Sequence, residues 1–206
     1  MARRRRRRLY LVSTSPRRAE ILRRFGYAFE TIPPRSEAVE IQHPNHTIQA
    51  ALEKLPHQRG PGVYLAADTM VFLGTEPLGK PRNLEEARAF LQRLSDREHR
   101  VVTGYAIAAE PEGRIITGTV ITEVYFGPLG AKEINLLLRH GAPLDKAGAY
   151  GIQGMAGLFI RYLKGSYFNV VGLPIETLYP LLKSLGIVPT RRPKVSEAPP
   201  ARSRPG

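Results

Sequence analysis

Four short segments carry side chains suited to one kind of chemistry, the handling of a phosphate chain. The first is Ser13-Thr14-Ser15-Pro16-Arg17-Arg18. Ser15 can cap a helix and Pro16 suits a first helical position, so the segment reads as a strand-to-helix junction. Free backbone N–H groups and the positive end of the dipole attract anions there, and the hydroxyls of Ser13, Thr14 and Ser15 add donors. Arg17 and Arg18 fall in the first turn, where a cation opposes the dipole. A bound anion would resolve that conflict, and a guanidinium fork meets phosphate oxygens in pairs. The competing reading is an exposed basic turn. The second segment, Ala66-Ala67-Asp68-Thr69, places one carboxylate at the C-terminal end of an apolar strand running from Val63 to Ala67. Ligands of open α/β sheets gather at such ends. Asp68 could bind a divalent metal or act as base toward water, or simply cap a turn.

The third segment is Gly79-Lys80-Pro81-Arg82. Lys80 could neutralise charge on a transferring phosphoryl group, or be an ordinary surface lysine. No glycine-rich loop ends in Gly-Lys-Ser/Thr, so it is not a P-loop. The fourth runs from Asp145 to Gly154, with glycines at 148, 151 and 154 that permit tight turns or a close approach to a ligand. The Gln153 amide both donates and accepts, so it could read a base edge. A purely structural loop is the alternative.

Other chemistries are excluded. The chain has no cysteine, which removes disulfides, thiolate zinc sites and cysteine nucleophiles. Its five histidines form no zinc spacing, and there is no G-x-S-x-G elbow. The net charge of +13 invites a nucleic-acid reading. Its location argues against one, because Arg3 to Arg8 carry six of those charges and the segment from Pro189 onward carries four net. Basic ends are often solvated and bind nucleic acid non-specifically.

The elements that must hold these segments follow from periodicity. Leu9 to Ser13, Tyr27 to Ile32 and Val63 to Ala67 read as strands. A helix begins at Ser15-Pro16, with Ile21, Leu22 and Phe25 on one face, and Gly26 is a plausible stop. Thr47 to Leu55 forms a second helix. Asn83 caps a third, whose Ala87, Phe90, Leu91 and Leu94 fall at i, i+3, i+4 and i+7. Val101 to Ala109 and Arg114 to Phe126 pair around Pro111-Glu112-Gly113. Lys132 to Arg139 is helical, Gly141 to Gly154 is loop, Leu158 to Leu163 is a strand, and Pro174 to Leu185 is a last helix. The fold class is α/β with a mixed sheet. The organisation is a basic tail over 1–8, one domain over 9–188, and a Pro/Arg-rich tail over 189–206 expected to be disordered. No apolar run reaches the roughly 20 residues of a membrane span, and none follows the arginines as a leader would require, so a cytoplasmic protein is expected.

In this order, the segments STSPRR at 13–18, AADT at 66–69, GKPRNLEEA at 79–87, RLSDREHRVVTG at 93–104, PLDKAGAYGIQG at 143–154 and GSYFNVVGLP at 165–174 resemble the Maf family, the septum-formation-inhibitor-like nucleoside triphosphate pyrophosphatases. The resemblance spans about residues 9–187. It implies an elongated mixed sheet flanked by helices, two lobes with a central cleft, and hydrolysis between the α- and β-phosphates. It also implies a divalent cation, Mg²⁺ or Mn²⁺, and a homodimer. It assigns Asp68 as base, Lys80, Arg17 and Arg18 to the phosphates, and Lys54 as the helical lysine, with Ser13 and Ser15 among the substrate-binding hydroxyls. Arg17, Thr69 and Gln153 fit the pattern of relatives acting on dTTP and UTP rather than 7-methyl-GTP. One departure stands out. The family's acidic pair near position 38 is replaced by Arg35-Ser36-Glu37-Ala38, so either Glu37, shifted by one residue, serves as the second acidic and metal-binding group, or that group is missing and activity is weakened. A non-enzymatic nucleic-acid-binding or division-regulating factor is the alternative function.

Overall fold

The structure is a computed structural model that describes residues 7–36 and 41–190. Its spine is a seven-stranded mixed sheet. Strand β1 (Leu9–Val12) lies between β2 (Glu30–Ile32) and β3 (Gly62–Leu73), parallel to both. The antiparallel half follows, with β5 (Glu98–Glu110) paired to β3, β6 (Arg114–Phe126) to β5, and β7 (Ile160–Lys164) to the end of β6. The short β4 (Glu76–Leu78) folds back on the far end of β3. Helices α1 (Pro16–Arg24), α2 (His46–Lys54), α3 (Leu84–Leu94), α4 (Ala131–His140), α5 (Tyr167–Val171) and α6 (Ile175–Ser184) flank it.

Two cores build two lobes on this sheet. One packs α1 and α6 against β1 and the first half of β3 through Leu11, Leu22, Leu65, Leu178 and Leu182. The other packs α3 and α4 against the far end of β3 and β5 through Leu91, Leu94, Val101, Phe126 and Leu137. On the opposite face of β1 and β3, α2 closes a smaller core with Ala51, Leu55, Tyr64, Ala66 and Ala106. Alternation along β3 sorts these contacts, since successive side chains point to opposite faces.

The largest difference from the sequence reading concerns β3. The strand does not end at Asp68; it runs on to Leu73, because β5 pairs with it continuously from Glu110 to Arg100. What ends is the neighbour. The β1 ladder stops at Val12–Ala66 and the β4 ladder begins at Val71–Leu78. Residues 67–70 therefore face an opening on one edge of β3, and the sheet is interrupted there rather than finished. The loop expected over Gly141 to Gly154 contains two 3₁₀ turns, Pro143–Asp145 and Ala147–Ala149, and a third follows at Met155–Leu158. That third turn takes up the start of the expected strand at 158 and delays β7 to Ile160. No helix among the described residues is long and apolar enough to cross a membrane.

Candidate active site in the sheet opening

A cleft of about 450 Å³ occupies this opening. Among the described residues it is lined by five cationic side chains, Arg17, Arg18, Lys54, Lys80 and Lys146, against two carboxylates, Asp68 and Asp145. That excess suits a polyanion. Ser15, Thr69 and Gln153 also line it. Nine of the ten residues expected at the site lie in or directly beneath this one space, and Glu37 lies outside the described residues.

Asp68 and Thr69 are neighbours on β3 and point to opposite faces. Asp68 faces α2, where its Oδ1 accepts a short contact from the Lys54 ammonium, which also donates to the Ala67 carbonyl at 3.3 Å. Lys54 is the last residue of α2 and is buried. Asp68 Oδ2 remains open to the cleft, with no hydrogen bond among the described residues. Thr69 faces α1 and belongs to a buried polar chain. Arg18 donates through Nε to the Gly172 carbonyl at 2.9 Å, and through its two Nη groups to Ser13 Oγ and Thr69 Oγ1, both at 3.2 Å. The Thr69 and Thr103 hydroxyls are 2.9 Å apart, and Thr103 donates onward to the Asn169 carbonyl at 3.3 Å. Asn169 Nδ2 donates to the Val101 carbonyl and to Thr122 Oγ1, each at 2.9 Å. Thr103, Thr122 and Asn169 are wholly buried.

The α1 end of the cleft has the expected form. Ser15 occupies the cap position in extended conformation, but its side chain makes no cap hydrogen bond and no acidic residue sits in the first turn. The helix N-terminus is thus left without a built-in anion. Ser13 stands one layer back from the cleft. Its buried hydroxyl accepts from the Ser15 N–H at 3.1 Å as well as from Arg18. Arg17 reaches across the mouth, donating through Nη1 to Asp145 Oδ2 at 3.1 Å and through Nη2 to the Asp145 carbonyl at 3.4 Å. Asp145 Oδ1 also takes the Lys146 ammonium at 2.5 Å, and that ammonium donates to the Gly141 and Ala142 carbonyls, each at 2.9 Å. Partial burial works to raise the Asp145 carboxyl, but Lys146 and then Arg17 outweigh it and hold the group below its ordinary range.

Lys80 is exposed at the rim with no ion pair among the described residues, directly after β4. Its strand is tied to the glycine loop by the Gly148 N–H, which donates to the Gly79 carbonyl at 3.1 Å. Gly148 adopts φ +68, and a Cβ there would stand 3.0 Å from Val71, so only glycine lets the loop lie this close to β3. Gln153 projects from the turn closed by Gly154 N–H to the Gly151 carbonyl at 3.1 Å. Beneath this loop, the buried Tyr150 ring has its hydroxyl 2.6 Å from His99 Nε2. Burial drives the His99 imidazole down to about 4 and the Tyr150 phenol upward, so both are neutral near pH 7.

Thr103, Asn169, Asp145 and Lys146 were not singled out as site residues by sequence reasoning. Thr103, Asn169 and Asp145 have partners far away in the chain, 128 residues apart for Arg17 and Asp145, and no local pattern marks such pairs; Lys146 bonds within its own loop, to Asp145, Gly141 and Ala142.

The model of the family described as Maf-like protein matches residues 8–185. The chain belongs to the Maf family. Several curated relatives match along nearly their whole length. A dTTP/UTP pyrophosphatase of Carboxydothermus hydrogenoformans is 42% identical over 185 residues, covering 86% of this chain and 98% of the relative. One of Thermococcus kodakarensis is 46% identical over 184 residues, covering 86% and 96%. One of Pyrococcus horikoshii is 43% identical over 188 residues, covering 89% and 99%. Within this Maf chain the family-like segments converge on the opening in β3, although they are scattered from residue 13 to residue 174.

Proposed function

We propose that this Maf protein is a nucleoside triphosphate diphosphatase that hydrolyses dTTP and UTP to the monophosphate and pyrophosphate. The observation that carries the reading is the convergence of Asp68, four of the five cleft cations and Gln153 on one cleft, in a chain whose relatives bear that name. The cations have two jobs. Arg17, Lys80 and the open α1 N-terminus receive the triphosphate, while Arg18 and Lys54 fix the residues beneath it. Water attacks the α-phosphorus as the bond to the α–β bridging oxygen breaks. Its proton passes to Asp68 Oδ2, and pyrophosphate leaves with the bridging oxygen, its charge held by Lys80 and Arg17. Gln153 and Thr69 face the base, and a single amide matches the O4 and N3–H edge shared by thymine and uracil.

Among the described residues Asp68 is the one carboxylate at the cleft floor, and no cluster of three His, Cys, Asp or Glu could cage a metal. One free carboxylate oxygen beside a triphosphate suits Mg²⁺ or Mn²⁺, which bind through one or two carboxylates and the substrate's phosphates. Held by Asp68, such an ion would supply neutralisation of the phosphate charge. Glu37 is the proposed second ligand.

The catalytic unit is residues 9–188, with the basic ends 1–8 and 189–206 dispensable. The protein acts in the cytoplasm as a homodimer, and light scattering should give twice the 22.9 kDa chain mass. The reading is tested by pyrophosphate release from UTP, dTTP, CTP and 7-methyl-GTP, each with Mg²⁺ and Mn²⁺. Selective release from UTP and dTTP supports it. Preference for 7-methyl-GTP overturns the subtype, and no release from any triphosphate returns the chain to the non-enzymatic regulatory alternative.

A further inference from the structure

Gly104 lies on β5 directly opposite Asp68, and directly opposed residues of an antiparallel ladder share a face. That face carries α2. A Cβ on Gly104 would stand 2.2 Å from the Thr47 carbonyl carbon, 2.4 Å from its oxygen and 2.5 Å from the Ile48 nitrogen. These are main-chain atoms of the first turn of α2, and they cannot swing aside as a flexible side chain can. The Gly104 backbone is not in the left-handed region, so the glycine is required for space rather than conformation.

The helix end it touches is itself fixed. Thr47 is wholly buried, and both its hydroxyl, at 2.6 Å, and its N–H, at 3.2 Å, donate to the Pro44 carbonyl. Small residues continue the close seam, with Ala51, Ala66 and Ala106 all wholly buried between helix and sheet. At the far end of the same nine-residue helix, Lys54 places its ammonium on Asp68 and on the Ala67 carbonyl. Thr47 and Lys54 are about 11 Å apart along the axis at 1.5 Å per residue, so lifting one end tilts or carries the other.

We infer that Gly104 sets the height of α2 above the sheet and thereby places the Lys54 ammonium on Asp68, which makes it a positioning residue for the proposed reaction. The inference rests on the roles given above to Asp68 and Lys54. Ordinary carbon contacts need about 3.5–4 Å, so a methyl group at Gly104 lifts the helix by more than about 1 Å. A displacement of that size at a reacting group costs on the order of 10² in rate.

The test is a double-mutant cycle on kcat for UTP hydrolysis, with Gly104→Ala, Lys54→Met and the pair. Gly104→Ala should lower kcat by about 10²-fold, with KM within about threefold, and should lower it less than about threefold further once Lys54 is Met. Ala51→Val, which lifts the same helix with a side chain, should give the same non-additivity at smaller amplitude; it carries the test if Gly104→Ala does not fold. Gly118→Ala is the fold control. Its Cβ would stand 2.3 Å from the Tyr105 hydroxyl, away from Lys54, so it should lower Tm and leave kcat within about twofold. Equal losses of kcat in both Lys54 backgrounds, or an unchanged kcat in Gly104→Ala, would reduce Gly104 to a scaffold residue. A Lys54→Met protein with wild-type kcat would instead refute the role of Lys54 on which the inference stands.

Discussion

Arg17 and Arg18 are adjacent in the chain, and the fold treats them in opposite ways. Arg18 is buried and donates to Gly172, Ser13 and Thr69, all neutral protein partners. Arg17 is half-buried at the rim and reaches the exposed Asp145 carboxylate across the mouth. The lysines divide in the same way, with Lys54 buried on Asp68 and Lys80 exposed beside the opening. The floor of the cleft is therefore assembled before substrate arrives. Among the described residues Lys80 has no ion pair, and Arg17 is held by an exposed ion pair of the kind worth at most about 1 kcal/mol. A triphosphate can displace such a partner. The comparison teaches that residue type in a phosphate site says little about role, and that burial with fixed acceptors separates a positioning cation from a binding one.

Replacing the two arginines in turn should break the comparison most visibly. Arg18→Ala removes the donor to the Gly172 carbonyl and one donor each from the Ser13 and Thr69 hydroxyls, and urea unfolding should register a loss of about 3 kcal/mol. Arg17→Ala should stay within about 1 kcal/mol in the same titration while raising KM for UTP by roughly tenfold or more. Equal effects on stability would erase the floor–rim distinction.

The buried His99–Tyr150 pair, which supports the glycine loop from below, gives a pH signature. The folded imidazole sits near 4 against an ordinary 6.5. The unfolded chain therefore binds the proton first as pH falls. The associated stability is full above about pH 6.5 and is lost as pH drops toward 4, on the order of 3 kcal/mol in all. Thermal melts of wild type and His99→Gln across that window should converge at low pH, and parallel curves would contradict the assignment.

Asp145→Asn sharpens the rim side. Removing the carboxylate frees Arg17 and Lys146 for the phosphates, so KM for UTP should fall by up to about fivefold, with Tm nearly unchanged. Lys146 and Arg17 keep the wild-type carboxyl ionised through neutral pH, so the difference should persist there. A rise in KM would mean that Asp145 aims Arg17 rather than competing for it. Deleting 1–8 and 189–206 is the smallest expected change, with kcat/KM within about twofold.

Much of this was legible in the chain. Ser15-Pro16 marked the start of α1, and periodicity marked α3 and its Asn83 cap, whose side chain accepts from Glu86 N–H at 2.9 Å. Arg17 and Arg18 were read alike as phosphate arginines, and the signal that separates them is that Arg18 sits at i to Ile21, Leu22 and Phe25 at i+3, i+4 and i+7, on the apolar face of its own helix. The end of β3 was misread because a polar pair after an apolar run looks like a strand end, whereas the ladder to β5 carries the strand through it. Strand β4 and helix α5, three and five residues long, are too short to show a period. The clasp of Arg17 on Asp145 and the chain from Thr69 to Asn169 exist only once the sheet brings distant segments together.

The most direct test of the central claim is pyrophosphate release from UTP with Mg²⁺ by Asp68→Asn beside wild type, at matched circular dichroism. The account predicts a fall in kcat of about 10³-fold or more, because the amide keeps the shape of the group and cannot accept the water's proton. Wild-type-like turnover would contradict it, and the base would have to be sought elsewhere in the cleft.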